Sequence, residues 1–169
     1  RSFEDDLATS VVVLTGNGRA CCAGQDLTEM RASHDDAAEP HQFPSMLEVV
    51  AGFPKPLIAA VNGLGVGIGM TILAHCDLVL MADTARLRTP FPQLGLAPEA
   101  GSSFTFADRM GWQAAAYVLL SGRWFDAQEC LAMGLVWKVC AADQLEDETA
   151  EVAAELAANP IPSLVATKR

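Results

Sequence analysis

Short apolar runs alternate with segments of helical spacing along this chain. The runs at 11–16 (VVVLTG), 56–61 (PLIAAV) and 77–82 (DLVLMA) predict buried parallel strands, because strands covered on both faces carry continuous apolar sequence. The segment at 85–90 (ARLRTP) alternates as a half-exposed strand does, and the late run at 134–140 (GLVWKVC) predicts one more strand.

Helices are expected between these strands. Apolar spacing predicts them over 47–51, 69–75, 112–120 and 145–158. Another helix begins after Asp126, whose side chain caps it together with Glu129, and it ends at Gly134. No linker or fixed-period repeat interrupts the pattern. We therefore expect an α/β class with one domain over 1–169, and a polar, exposed loop at 31–44.

Composition narrows the classes of function. Apolar residues make up 51% of the chain and charged residues 19%, which excludes general disorder. The net charge of −10 repels phosphate backbones, so nucleic-acid binding is disfavoured. No apolar run reaches the roughly 18 residues that span a bilayer, and the first residues do not resemble a signal peptide. We expect a soluble cytoplasmic protein with no membrane partner, whose five cysteines are reduced thiols.

Four glycines occur at alternate positions in the stretch NGLGVGIGM, between a predicted strand and a predicted helix. They are Gly63, Gly65, Gly67 and Gly69. The dinucleotide-binding pattern fails here, because its third glycine is replaced in every register. Two interpretations remain. The glycines let a ligand reach the N–H groups at the start of a helix, where negative charge is stabilised, or they allow close packing of helix and sheet.

Two cysteine-containing stretches have both a chemical and a structural interpretation. In RACCAGQDL, Cys21 and Cys22 indicate either redox chemistry or the use of small residues as filler. In AHCD, a metal site or a Cys–His dyad competes with core packing of His75 and Cys76. Core packing is favoured in AHCD because adjacent residues of a helix point about 100° apart.

One carboxylate, Glu99, stands in the otherwise uncharged stretch LGLAPEAGSS. Proline and glycine flank it, which is typical of a solvated turn. Apolar neighbours would instead raise the pKa of the carboxyl group and make it a usable proton shuttle near neutral pH. The residues alone leave both interpretations open.

Motifs that occur together in one known family run from about residue 11 to residue 139. They are AGQDL, PLIAAVNGLGVGIGM…CDLVLMAD and LGLAPEAGSS…LLSGRWFDAQECLAMGLVWKV. By these motifs the chain resembles the crotonase superfamily, the enoyl-CoA hydratase/isomerase fold. The resemblance implies a crotonase-like spiral of repeated β-β-α units, truncated here at both ends, and a homotrimer or dimer of trimers. It also implies an acyl-CoA thioester substrate, no metal, and no cofactor beyond the coenzyme A within the substrate.

The resemblance also implies the functional residues. An oxyanion hole of two backbone N–H groups falls on Cys22 and Ile68. Family hydratases use two glutamates, and these positions hold Thr71 and Phe91, so the groups for ordinary hydration are absent. The single glutamate of Δ3,Δ2-enoyl-CoA isomerases falls on Glu99. The implied substrate-binding positions are Ala20, Ala23, Gln25, Asp26, Leu27, Gly67, Phe91 and Leu94.

The resemblance therefore predicts an isomerase that moves the double bond of 3-enoyl-CoA to the 2 position. Glu99 would transfer the proton while the oxyanion hole holds the enolate. One alternative is an enoyl-CoA hydratase or another crotonase-type reaction, and a second is a non-catalytic acyl-CoA-binding scaffold. Arg19 and Arg31 are candidates for binding the CoA phosphates.

Overall fold

Strands of two sheets alternate along the chain, with helices between them. The computed structural model describes Phe3, residues 5–24 and residues 42–168. Its elements are β1 (Val12–Thr15), β2 (Ala20–Cys22), α1 (Gln42–Ala51), β3 (Leu57–Val61), β4 (Leu64–Val66), α2 (Ile68–Thr71), a 3₁₀ turn (Ile72–His75), β5 (Leu78–Ala82), β6 (Arg86–Arg88), α3 (Phe91–Leu94), α4 (Ser102–Met110), α5 (Trp112–Ser121), β7 (Phe125–Asp126), α6 (Ala127–Ala132), β8 (Lys138–Cys140), α7 (Leu145–Ala157) and α8 (Ile161–Lys168).

The first sheet is parallel and has the strand order β1-β3-β5-β8. All five residues of β3 are buried, as are four of the five in β5, which is what continuous apolar runs require. The three predicted strands are thus confirmed in place, but the predicted burial is wrong for β1, where three of the four residues are exposed because the strand lies at the edge of the sheet. The late strand is shorter than predicted, because the N–H groups of Leu135 and Val136 bond to Cys130 at the end of α6.

The second sheet has the order β2-β4-β6-β7, with β7 antiparallel to β6 and the other pairs parallel. The alternation predicted at 85–90 is confirmed, since Leu87 is buried between two less buried arginines of β6. The strands β2, β4 and β7 were not predicted. Each strand of the first sheet up to β5 is followed by a strand of the second, and this confirms the expected β-β-α repeat.

Close packing explains three of the four alternate glycines. A side chain at Gly63 would collide with the carbonyl oxygen of Arg19, and one at Gly69 with that of Cys22. A side chain at Gly65 would likewise meet Leu87. The fourth, Gly67, has open space around it and a φ of 55°, a left-handed conformation that favours glycine.

The predicted helices are largely confirmed. α5 and α7 match their predicted spans, and α6 has the predicted capping box between Asp126 and Glu129. Its C-cap is Met133, and Gly134 follows it with a φ of 83°. The helix predicted over 69–75 is divided into α2 and the 3₁₀ turn, and α1 includes the end of the predicted loop 31–44. The helices α3, α4 and α8 were not predicted.

Buried apolar side chains fill the space between the sheets and the helices. The largest with no exposed surface include Ile58, Met70, Leu80, Leu87, Phe106 and Phe125. α7 packs against β3 and β5. Among the described helices, none combines the length and the apolar character needed to cross a membrane.

Candidate active site

A cavity of about 620 Å³ opens where the second sheet meets α2 and α3. Its walls are mostly apolar. They are formed by Ala23, Gly24, Phe43, Val66, Gly67, Ile68, Arg88, Pro90, Phe91, Gln93, Leu94, Leu96, Ala97, Glu99 and Trp124. Of the predicted site residues, the cavity brings together Ala23, Gly67, Ile68, Phe91, Leu94 and Glu99.

The N-terminus of α2 forms part of the cavity wall. Its N-cap, Gly67, provides no side-chain cap, and its own N–H donates to the carbonyl oxygen of Arg88 at 3.0 Å. The N–H groups of Met70 and Thr71 donate to the carbonyl oxygen of Gly67. The first N–H groups of a helix have no acceptor within it. The N–H of Ile68 therefore begins the helix at the cavity without an intrahelical partner.

The predicted second donor, Cys22, lies at the end of β2, where its Cα is paired with that of Gly65. Ala20 lies in the same strand. Neither is a lining residue, and the wall begins at Ala23 and Gly24. The roles of Cys22 and Ala20 therefore stay predictions. Other predicted positions lie outside the described residues, namely Gln25, Asp26, Leu27 and Arg31.

The carboxyl group of Glu99 has one partnered and one unpartnered oxygen. The hydroxyl of Thr71, a residue with no exposed surface, donates to Oε1 of Glu99 at 2.6 Å. The other oxygen, Oε2, is buried and has no hydrogen-bond partner among the described residues. A buried acceptor without a donor is costly unless a ligand supplies one. The site therefore leaves one carboxyl oxygen available for proton exchange.

Burial also changes the acidity of this group. Removal from water raises the pKa of the Glu99 carboxyl, and the Thr71 hydrogen bond and the charge of His75 offset this in part. A carboxylate with a raised pKa is a better base near neutral pH than an ordinary one. Half-burial in a cavity wall argues against a solvated turn, and the proton-shuttle role of Glu99 stays a prediction.

The backbone around Glu99 is held on both sides. Its carbonyl oxygen accepts bonds from the N–H of Ser102 at 3.0 Å and from the Ser102 hydroxyl at 2.7 Å. Ala100 has a φ of 54°, which is uncommon for a residue with a side chain. His75 Nε2 lies 2.9 Å from the carbonyl oxygen of Ala100. Because a carbonyl only accepts, this nitrogen carries the hydrogen.

Nine of the fifteen residues lining the cavity were not among the predicted site residues, and two of these nine interact with each other. Arg88 and Trp124 both line it, and the guanidinium carbon of Arg88 lies 5.2 Å from the centre of the Trp124 ring. The alternation in ARLRTP places Arg88 on the face of β6 opposite to Leu87, which is a usable signal. The position of Trp124 depends on the pairing of β7 with β6, which local sequence does not show.

The surroundings of the cysteines and His75 favour packing roles over chemical ones. All five cysteines are free. Burial raises the pKa of Cys21, and it raises those of Cys76 and Cys130 to about 12, so reactive thiolates are disfavoured. The Sγ of Cys76 faces the carbonyl oxygen of Ile72, away from any dyad with His75. Over the part of the chain that is described, no three His, Cys, Asp or Glu side chains are grouped to bind a metal.

Comparison with known proteins agrees with the resemblance of the sequence motifs. The profile of the family described as enoyl-CoA hydratase/isomerase matches residues 1–169. The chain is 39% identical over 145 residues to enoyl-CoA delta isomerase 2 of Rattus norvegicus, covering 83% of this chain and 37% of that protein. It is 33% identical over 168 residues to a probable enoyl-CoA hydratase of Rhizobium meliloti (strain 1021), covering 99% and 65%.

A solved structure is also similar over nearly the whole chain. It is that of enoyl-CoA hydratase EchA8_6 from Mycobacterium marinum, with 49% sequence identity and a TM-score of 0.92, covering 99% of this chain and 79% of that one. The chain spans less than two thirds of the length of the two curated relatives above.

Proposed function

Because the chain belongs to the enoyl-CoA hydratase/isomerase family, we propose that it acts as an isomerase that converts 3-enoyl-CoA to 2-enoyl-CoA. The observation that supports this most directly is the hydrogen bonding of the Glu99 carboxyl group. Oε1 accepts a bond from Thr71, while Oε2 is buried and has no partner among the described residues. One such carboxyl group is sufficient to move a proton between two carbon atoms of the same chain.

The mechanism uses this oxygen twice. The thioester oxygen accepts hydrogen bonds from backbone N–H groups, that of Ile68 and, as the resemblance implies, that of Cys22. Oε2 of Glu99 takes the proton from C2, and the electron pair of that C–H bond is delocalised into the thioester as a dienolate. The protonated carboxyl group then returns the proton at C4. The double bond is left between C2 and C3, and no atom is gained or lost.

Hydration requires a further acid–base group that holds water. The resemblance assigns the two hydratase glutamates to Thr71 and Phe91. The Thr71 hydroxyl is used by Glu99, and Phe91 gives the cavity wall a phenyl ring. Neither side chain can remove a proton from water near neutral pH. Since relatives include both isomerases and hydratases, this difference is our reason for preferring isomerisation.

Turnover of matched esters tests the reaction. Purified protein is supplied with 3-enoyl-CoA and with 2-enoyl-CoA of equal chain length, and the products are separated by chromatography. We expect conversion of the 3-enoyl ester to the 2-enoyl ester and little 3-hydroxyacyl-CoA. Predominant hydration would establish the first alternative instead, and binding without turnover of either ester would establish the acyl-CoA scaffold.

A homotrimer or a dimer of trimers is part of the proposal, as is a cytoplasmic location. Large apolar side chains are exposed on adjacent helices, with Phe104 of α4 75% exposed, and Trp112 and Leu120 of α5 68% and 75% exposed. Large apolar side chains exposed close together are typical of an interface between subunits, and the contact between α4 and α5 is consistent with one. We expect light scattering at micromolar concentration to give the mass of three or six chains, and a monomer would contradict the assembly.

A further inference from the structure

Two charged residues occur among the described residues that line the cavity, Arg88 and Glu99. Each has a buried side-chain atom with no hydrogen-bond partner in the described part of the chain, Nε of Arg88 and Oε2 of Glu99. The ion pairs of the described residues join other side chains. The lining therefore includes one charged residue with an unused donor and one with an unused acceptor.

The main chain fixes the position of Arg88. Its Cα is paired with that of Val66 in the second sheet, and its carbonyl oxygen accepts the N–H of Gly67. Its guanidinium carbon lies 5.2 Å from the centre of the Trp124 ring, so the cation is attracted to the face of the indole. An aromatic face does not satisfy the N–H groups in the guanidinium plane. These donors stay available to a ligand.

The surroundings of Arg88 favour an anionic acceptor. Apart from Gln93 and Glu99, the lining side chains supply no oxygen acceptor. A guanidinium N–H removed from water is stabilised only when an acceptor reaches it. The planar group also matches a carboxylate with two parallel hydrogen bonds.

We propose that Arg88 binds a carboxylate at the far end of the acyl chain, so that the cavity selects ω-carboxyacyl-CoA thioesters over plain acyl-CoA thioesters. This rests on the proposed acyl-CoA substrate but not on the reaction at C2 and C4. The thioester oxygen has its own donor in the N–H of Ile68. Because Arg88 lines the apolar cavity and its Nε is buried, an acceptor that reaches this atom has to leave water, which disfavours the strongly hydrated CoA phosphates.

Binding of saturated, unreactive esters tests the proposal without turnover. Calorimetry compares hexanoyl-CoA with adipoyl-CoA, and butanoyl-CoA with succinyl-CoA, on the parent protein and on Arg88→Met. We expect the parent to bind one of the ω-carboxy esters about 10- to 100-fold more tightly than its plain partner, as for a charge-assisted bond. Arg88→Met should lose this preference and bind the plain ester at least as well as the parent does.

Arg86→Met is the matched control, because Arg86 lies on the same strand and is exposed to solvent. It removes the same charge and should keep the preference. Equal weakening of both esters in Arg88→Met would overturn the proposal, because Arg88 would then contact the CoA portion or the thioester. An absence of preference in the parent overturns it too. Isomerase activity could persist in either case, so the two proposals fail separately.

Discussion

Two junctions of this molecule, β4–α2 and β7–α6, each lead from a strand into a short helix but differ in how their polar groups are satisfied. At β7–α6, the N–H of Glu129 donates to Oδ1 of Asp126 and the N–H of Asp126 donates to Oε2 of Glu129, while Arg123 binds both oxygens of Glu129. At β4–α2, Gly67 gives no cap and the nearby Glu99 keeps an unpartnered oxygen.

The two glutamates consequently differ in acidity, since their pKa values are shifted in opposite directions. Hydrogen bonds from Arg123 hold the pKa of Glu129 below its usual value, so this carboxylate stays ionised and stabilises the start of α6. Burial raises the pKa of Glu99. A carboxylate whose acceptors are filled stabilises structure, whereas one with an empty acceptor is suited to exchanging a proton.

The largest effect is expected at Glu99. Glu99→Gln keeps the size of the side chain but removes the base, so turnover of 3-enoyl-CoA should fall by about 10²- to 10⁴-fold while CoA-ester binding persists. Glu129→Gln makes the same chemical change at the satisfied junction and should leave turnover unchanged. Near-parental turnover in Glu99→Gln would identify Glu99 as a turn residue.

A smaller loss is expected when the free N–H of α2 is removed. Proline is tolerated at the first position of a helix but has no N–H, so Ile68→Pro should fold and lose about 10²- to 10³-fold in kcat. Ile68→Ala keeps the N–H and should retain most activity. If both variants lost activity equally, packing of the side chain rather than the backbone donor would be responsible.

Removing the Thr71 hydroxyl should change the pH dependence more than the maximal rate. Glu99 has to be ionised to act as a base, so kcat/KM falls as pH drops through its pKa. The Thr71 bond lowers that pKa. Thr71→Val should therefore raise the pKa further and move the acidic limb of the pH profile to higher pH, whereas Thr71→Ser should not. An unchanged limb in the valine variant would contradict this role of the hydroxyl.

The smallest change, confined to stability, is expected at β7–α6. Asp126→Ala removes the N-cap, which costs about 0.5–2 kcal/mol and lowers Tm by roughly 2–4 °C for each kcal/mol in a protein of this size. Turnover should be unaffected. Asp143→Ala removes the same charge outside a cap and should leave Tm nearly unchanged. An equal decrease in Tm in both variants would show that net charge, and not the cap, is responsible.

Continuous apolar runs made the first sheet predictable, because β3 and β5 are buried on both faces and carry no competing pattern. The second sheet was largely missed. β2, β4 and β7 have only two or three residues each, so no alternation can develop within them. Their pairing depends on contacts between distant segments, such as Leu87 with Phe125, and on glycines that permit close approach.

The candidate active site, like the fold, was predictable only in part. Glu99 was singled out because it is a lone charge in an apolar stretch, whereas its role and the choice of Ile68 came from the resemblance to the crotonase superfamily. The hydrogen bond from Thr71 to Glu99 joins residues 28 positions apart. Trp124 enters the cavity only because β7 pairs with β6. Local pattern and family resemblance thus singled out individual residues, and three-dimensional pairing determined which groups surround them.

The left-handed conformation of Ala100, with a φ of 54°, has a consequence for the unfolded chain as well as for the fold. Glycine would adopt this φ without the roughly 1 kcal/mol that a Cβ costs there. Because Gly101 follows, however, a glycine at position 100 would give two consecutive residues that sample positive as well as negative φ. The entropy lost on folding would then rise. The methyl group of Ala100 removes many of those conformations from the unfolded chain. The alanine therefore lowers the entropy cost of ordering the segment that carries Glu99.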